Sequence, residues 1–221
     1  MKDSFWYPIV FMLIMVVIFT SILSVMYRFN QDKIMRQERD SYQRAVLSTL
    51  ASAIAEYTGE SRESIMAAYP ESYDTYVVSQ NYPGFERECF QAKVDDEILA
   101  YCFEIRGKGL WGSMQALVST SVDLRTILDF AIVSQQETPG LGARIEEDWF
   151  LSQFRDRLFV VNPDAEGDVS QSYEFIAETQ VPENDRQLRR VTGATITSDS
   201  VVKMLHDEFN YIYKYFRENV L

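Results

Sequence analysis

Residues 90–103 read FQAKVDDEILAYCF, and this stretch has the pattern of a β-hairpin. Its two halves are rich in aromatic and branched residues, and Asp95-Asp96 forms a two-residue turn between them. Residues 74–135 as a whole are rich in Tyr, Val, Phe and Ile with polar residues in alternation. The hairpin therefore predicts the centre of a mainly antiparallel sheet.

The same hairpin predicts where the two cysteines of the chain lie. With a two-residue turn, the numbers of facing residues sum to 191, and Cys89 and Cys102 satisfy that sum. Counted outward from Val94 and Glu97, they fall at a non-hydrogen-bonded pair, where the strands approach within disulfide distance. A bridge indicates an oxidising, extracytoplasmic compartment. The alternative is two ordinary thiols in a shifted register.

Helical patterns flank the predicted strands. One helix should end at Gly59, and a second should stop before Pro70. A polar loop is expected over residues 163–171. Strands in the middle of the chain with helices around them predict an α+β domain. The predicted helices cover residues 28–57, 61–68, 146–157 and 198–218, and the predicted later strands cover 158–161 and 173–177.

The N-terminal segment predicts a single membrane anchor. Residues 9–26 read IVFMLIMVVIFTSILSVM, a run without any charge. As a helix it spans roughly 27 Å, close to the thickness of a bilayer core. Trp6 and Tyr27 stand at its edges, as suits the membrane interface. A cleaved signal peptide is the alternative, but the run is long and no small-residue cleavage site follows it.

These patterns divide the chain into three parts. We expect a transmembrane anchor over residues 1–27, a helical stalk over 28–72 and a folded domain over 73–221. Lys2 is the one basic residue before the span. The five basic residues after it favour a cytoplasmic domain by the positive-inside rule; they are Arg28, Lys33, Arg36, Arg39 and Arg44.

Composition argues against several kinds of function. The net charge of -12 argues against a nucleic-acid partner. Two cysteines and one histidine exclude most metal centres held by protein ligands, and we expect no metal site. His206 falls within the predicted last helix, where a lone histidine is usually structural.

Glycines concentrate in three short segments: GKGLWG at 107–112, ETPGLG at 137–142 and TGAT at 192–195. Each segment alone is typical of a plain turn, but together they predict three loops that meet at one bound group. TGAT precedes a helix with its cap expected at Thr197 or Ser198. The free N–H groups at that helix start favour a phosphate, although a sequence that serves only to cap the helix is the alternative.

Residues 191–197, VTGATIT, resemble the S/T-G-A-T-x-T motif of the FMN-binding domain family. This family includes the G subunit of the Rnf complex and the C subunit of the sodium-translocating NADH:quinone reductase (Nqr). ETPGLG and GKGLW resemble two further segments of the family, in the same order, and an N-terminal membrane helix is also a family feature. The resemblance covers nearly the whole chain, and Thr192 stands where serine is commoner.

The resemblance implies a covalent cofactor. FMN would be joined through a phosphoester to Thr195, by a separate flavin transferase that uses FAD. The resemblance also implies that the three glycine segments line the flavin site. The cofactor-binding residues expected on this basis are Thr192, Gly193, Ala194, Thr197, Glu137, Thr138, Gly140, Leu141, Gly142, Leu110 and Trp111.

The function implied is that of an electron-carrying subunit rather than a complete enzyme. The chain would assemble with other membrane subunits of an Rnf- or Nqr-type, ion-translocating complex in a bacterial or archaeal membrane. Its flavin domain would be extracytoplasmic, although the basic residues after the span favour a cytoplasmic domain. The choice between Rnf and Nqr, the ion, the electron donor and the acceptor stay open. The alternative is a membrane-tethered extracytoplasmic binding or sensor domain without a redox cofactor.

Overall fold

The computed structural model describes residues 6–165 and 167–220. Residues 1–5, which belong to the predicted anchor, residue 166, which belongs to the predicted polar loop, and residue 221 lie outside this part. The chain divides into two compact units, residues 1–42 and 43–221. The predicted boundaries at 27/28 and 72/73 stay predictions.

Helix α1 (Trp6–Thr58) supplies the whole of the first unit that the structure describes. Most apolar side chains of residues 9–26 are exposed along it. The predicted membrane helix is confirmed as a helix long and apolar enough to cross a bilayer. As predicted, α1 ends directly before Gly59, whose φ of 76° suits the left-handed residue that follows many helices.

The second unit is an α+β domain, as the sequence predicts. Ser61 caps α2 through its side chain, which accepts from the Ser64 N–H at 3.1 Å. The helices after α1 are α2 (Arg62–Ala67), α3 (Glu71–Tyr76), α4 (Asp148–Leu151) and α5 (Thr195–Asn219). The strands are β1 (Val77–Gln80), β2 (Cys89–Val94), β3 (Glu97–Lys108), β4 (Ser113–Thr120), β5 (Thr126–Ser134), β6 (Arg157–Leu158), β7 (Glu174–Ile176) and β8 (Gln187–Arg189).

Strands β1 to β6 form one sheet in chain order, and every neighbouring pair is antiparallel. Residues 43–58 of α1 cover one face of this sheet, where the Ser119 hydroxyl donates to the Thr49 carbonyl oxygen at 2.6 Å. Helix α5 covers the other face, where the rings of Phe103 and Phe216 lie 5.3 Å apart. The sheet is therefore buried on both faces, and the ends of its strands carry the exposed loops.

The predicted hairpin turn is confirmed, but its predicted register is wrong. Asp95 and Asp96 have φ of 50° and 67° and separate the paired residues Val94 and Glu97. A bulge between Ala92 and Lys93 then shifts the pairing by one residue, so that Cys89 faces Phe103. Neighbouring residues on a strand point to opposite faces. The thiols of Cys89 and Cys102 thus lie on different faces, and both are free and buried.

Other differences from the predicted elements have local causes. The helix expected over 146–157 is short, because Arg155 pairs with the Asp129 carboxylate of β5 at 2.8 Å and returns the chain to the sheet. The strand expected over 158–161 is limited to β6. Strand β8 was not predicted, since three residues show no alternation; it pairs in parallel with β7. Helix α5 begins at Thr195 instead of residue 198.

Candidate functional site

The three glycine segments meet at one cavity of about 390 Å³. The loop between β3 and β4 forms one wall, the segment after β5 a second, and the start of α5 a third. The cavity is lined by Leu110, Trp111, Glu137, Thr138, Leu141, Gly142, Gly193, Ala194, Thr195, Ile196 and Thr197. Of the predicted cofactor-binding residues, Thr192 and Gly140 do not line it. Ile196 lines the cavity without having been predicted.

The first turn of α5 presents Thr195 at the cavity. Thr195 is the first residue of the helix, and its side chain is exposed. The N-cap residue is Ala194, which has no capping side chain, so the cap expected at Thr197 or Ser198 is wrong. The first N–H groups of a helix have no intrahelical acceptor. Here the start of the helix lines the cavity with the exposed Thr195 side chain, an arrangement suited to a phosphate.

Four large apolar side chains surround the cavity mouth. Leu110, Trp111, Leu141 and Ile196 are between 46% and 69% exposed. Such side chains are normally scattered over a surface, and a group of them around one cavity indicates a binding site for an apolar group.

Glu137 connects the three walls from inside the protein. Its side chain is buried, and its Oε1 accepts a hydrogen bond from the Trp111 N–H at 3.0 Å. Its Oε2 accepts one from the Thr197 hydroxyl at 2.6 Å. Both Glu137 and Thr197 were predicted to bind the cofactor. In the structure they bind each other, and the polar atoms of the Glu137 side chain are satisfied within the protein.

Three of the six clustered glycines leave room for buried protein side chains. A Cβ at Gly109 would overlap Oε1 of Glu137, and a Cβ at Gly142 would lie 2.8 Å from Oε2. A Cβ at Gly107 would lie 2.7 Å from the Met204 side chain, and one at Gly112 would overlap Gln136. These glycines were predicted to lie in loops that meet at one bound group. In the structure, Gly107 and the pair Gly109 and Gly142 leave room for the buried side chains of Met204 and Glu137, whereas Gln136 beside Gly112 is exposed.

A second polar connection holds the TGAT loop, and the sequence did not reveal it. Glu178 Oε2 accepts from the Thr192 N–H at 2.8 Å. Its Oε1 pairs with Arg144 Nη2 at 2.7 Å. Hydrogen bonds from Arg144 and Thr192 lower the pKa of Glu178 to about 2. Because Arg144 lies two residues after the ETPGLG segment, this ion pair fixes two walls of the cavity relative to each other.

His206 does not line the cavity. Its Nδ1 lies 2.6 Å from the Ser170 hydroxyl oxygen, and its Nε2 lies 3.1 Å from Asp168 Oδ2. Asp168 also accepts hydrogen bonds from Ser170 and Asn210, so the members of the cluster bind one another. Desolvation raises the pKa of Asp168, but these hydrogen bonds outweigh it and leave that pKa lowered. The cluster attaches the polar loop to α5, in agreement with a structural role.

A larger cavity of about 470 Å³ lies between Arg155, Arg157 and Tyr173. The guanidinium of Arg157 already donates to backbone carbonyl oxygens there, including that of Gln153 at 2.5 Å. The three sequence motifs do not contribute to this cavity. The 390 Å³ cavity is therefore the candidate functional site.

Comparison with known proteins agrees with this assignment. Residues 109–209 match the FMN-binding domain, so the predicted resemblance is confirmed. The G subunit of a proton-translocating ferredoxin:NAD(+) oxidoreductase complex of Clostridium ljungdahlii is 32% identical over 118 residues, which cover 53% of this chain and 56% of that protein. The C subunit of a Na(+)-translocating NADH-quinone reductase of Pseudomonas aeruginosa is 26% identical over 118 residues, covering 53% and 44%. The chain thus matches about half the length of each of these two relatives.

The fold also has a solved counterpart. The crystal structure of the C subunit of the Na(+)-translocating NADH-quinone reductase from Parabacteroides distasonis aligns with a TM-score of 0.56 at 21% identity. The alignment covers 83% of this chain and 94% of that chain. This likeness confirms the predicted fold class.

Proposed function

Because residues 109–209 match the FMN-binding domain, we propose that this chain is a covalent-FMN electron-transfer subunit of a membrane-bound, ion-translocating complex of the Rnf or Nqr type. The observation that carries the proposal is the convergence of the three motif segments on one cavity with the Thr195 hydroxyl at its edge. The relatives named as subunits of such complexes support it.

The residues of the cavity fit FMN. Leu110, Trp111 and Leu141 offer apolar surface to an isoalloxazine ring. The N-terminus of α5 offers N–H groups and a positive dipole end to the phosphate. When bound, the flavin supplies the one- and two-electron chemistry, while the protein positions it and controls its surroundings.

Thr195 is the proposed attachment residue. Its hydroxyl oxygen forms a bond to the phosphorus of the FMN half of FAD, the pyrophosphate P–O bond breaks and AMP leaves. The hydroxyl proton passes to the flavin transferase that catalyses the step. The turn itself contains no acid or base for this reaction, and the exposure of Thr195 suits access by a second protein.

The membrane helix and the relatives support a location at the bacterial or archaeal membrane, in contact with other subunits. We place the flavin domain on the extracytoplasmic side. Assembly with polytopic partners can fix an orientation that the basic residues after the span oppose. A covalent bond then has a clear use, because it prevents loss of FMN to the dilute outside medium.

A denaturing gel tests the proposal directly. We expect the chain, co-expressed with a flavin transferase, to give a band that fluoresces under ultraviolet light, and peptide mass mapping to locate one FMN on Thr195. Thr195→Ala should remove the fluorescence without unfolding the domain, because this side chain is exposed. Covalent FMN retained in that variant contradicts the assignment.

Thr192→Ala is the matched control for the motif. Its hydroxyl helps to bind Glu178, but the backbone N–H of residue 192 keeps its own hydrogen bond to that carboxylate. We therefore expect lowered flavin occupancy rather than complete loss. A dark band from folded wild-type protein would instead favour the membrane-tethered binding or sensor domain.

A further inference from the structure

We propose that Glu137 is a positioning residue for flavin attachment, which sets the geometry of the Thr195 hydroxyl through Thr197 and of the apolar wall through Trp111. This inference rests on the proposed function and extends it to a residue that does not touch the reacting atoms.

The Glu137 carboxylate lies between the walls of the cavity. Its side chain belongs to the segment after β5, and its two oxygens accept from the two other walls of the cavity. Thr197 is two residues after Thr195 in the first turn of α5. The bond to Thr197 thus fixes the rotation of the helix start, and with it the direction in which Thr195 points.

Glu137 also holds the loop that carries Leu110 and Trp111. This loop connects β3 and β4, and the Gly109 N–H closes it by donating to the Gly112 carbonyl oxygen at 2.7 Å. The Trp111 N–H fixes the tip of the loop, because it donates to Glu137. Without Glu137 the loop keeps its strands, but the position of its tip relative to α5 is no longer defined.

Two glycines keep space free for the Glu137 carboxylate. A side chain at Gly109 or Gly142 would displace Glu137. Two of the motif glycines therefore serve this one buried group. Burial of a carboxylate is costly unless every oxygen is hydrogen-bonded, and here both oxygens are.

Three substitutions of Glu137 separate the effect of its hydrogen bonds from the effects of its volume and its charge. Glu137→Ala removes both bonds. Glu137→Leu keeps the volume but removes both bonds. Glu137→Gln keeps both, since its amide oxygen accepts from the Trp111 N–H and its amide N–H donates to the Thr197 hydroxyl oxygen. Glu208→Ala is the matched control: Glu208 is also buried, binds Arg87 at 2.9 Å and lies on α5. It stands about 20 Å from Thr195 along the helix.

The main measurement is the rate of flavin attachment to the apo full-length chain by a flavin transferase with FAD, as a function of chain concentration. We expect Glu137→Ala and Glu137→Leu to lower kcat by about 100-fold with KM nearly unchanged, since a small displacement of a reacting group has effects of this order. Glu137→Gln should restore most of kcat. Glu208→Ala should lower the melting temperature but leave kcat as in the wild type.

The second measurement needs no flavin. Hydrogen exchange of the Trp111 amide in the apo chain reports its bond to Glu137 directly. We expect faster exchange in Glu137→Ala and Glu137→Leu, and slow exchange in Glu137→Gln and Glu208→Ala.

Each outcome has one meaning. A wild-type chain that accepts no flavin overturns the proposed function itself. A wild-type chain that loads, with Glu137→Ala loading at the same kcat, overturns only the positioning role. Equal losses in Glu137→Gln and Glu137→Ala overturn it as well, because the hydrogen bonds would then not be what positions Thr195.

Discussion

Glu178 joins two walls of the cavity through side chains that lie far apart in sequence. Its carboxylate binds Arg144 and the Thr192 N–H, and its pKa is lowered to about 2. A group with a lowered pKa in the folded state stabilises the protein above its unfolded pKa, which is about 4.3 for glutamate. That contribution is lost as the pH falls through about 2.

Glu178→Gln tests this connection through its pH dependence. We expect the variant to be less stable than the wild-type apo chain at pH 7, because the ion pair and part of the loop anchor are removed. The difference in free energy of unfolding should be constant down to about pH 5 and shrink between about pH 4 and pH 2. Denaturant unfolding at each pH measures it. A difference that is the same at pH 7 and pH 3 contradicts the assigned ion pair.

At this scale the sequence predicted which residues converge, but not what each of them does. Thr138, Leu141 and Thr195 line the cavity as predicted. Glu137 and Thr197 lie there too, but they bind each other. The partners of a polar side chain depend on which loops meet, and Glu178 and Arg144 are separated by 34 residues with no local signal to connect them.

In the β2–β3 hairpin, too, one feature could be predicted from the sequence and another could not. Its turn places Asp95 and Asp96 at positive φ, a conformation that favours glycine. Aspartate tolerates it better than most residues, at some cost. The turn could be predicted, whereas the bulge at Ala92 and Lys93 could not, since it leaves the composition of the strand unchanged.

Substitution at Asp96 measures the strain of this turn. We expect Asp96→Gly to stabilise the domain by up to about 1 kcal/mol, a rise in Tm of about 2–4 °C. Asp96→Ala removes the same carboxylate but keeps a Cβ at positive φ, so we expect it to lower Tm. Thermal unfolding of the apo wild type and of the two variants measures these changes in Tm. Equal effects of glycine and alanine would mean that charge, and not backbone conformation, governs this turn.

Helix α5 shows why a helix start is difficult to predict. Residues 197–199, Thr-Ser-Asp, have the composition of an N-cap, yet the helix begins at Thr195. The Thr197 hydroxyl donates to Glu137, and the Ser198 hydroxyl accepts from the Val191 N–H at 3.1 Å. Both hydroxyl groups hold the helix to the rest of the domain, and the helix end is left open for a ligand.

For the whole molecule, the orientation in the membrane is the prediction with the sharpest test. Cys89 and Cys102 are buried, so the wild-type chain should not react with a membrane-impermeant maleimide. Val181 is 83% exposed, and Val181→Cys introduces one accessible thiol in the second unit. We expect this variant to be labelled in intact cells. Labelling only after lysis would place the domain in the cytoplasm, as the basic flank indicates.

The class of fold was predictable at this scale because it depends on the order of strand and helix patterns, which the hydrophobic periodicity preserves. The parallel pairing of β7 with β8 was not, because both strands have only three residues. Short strands are defined by their partners rather than by their own sequences.

The room that Gly109 and Gly142 leave for Glu137 has a consequence for how such chains can diverge. A methyl group at either glycine is incompatible with the glutamate, and a shortened residue 137 leaves a void that both glycines then surround. The three positions therefore constrain one another across separate segments of the chain. Mutational drift in this protein should proceed by joint replacement of the three, and a variant that changes one alone should accumulate a compensating change at another.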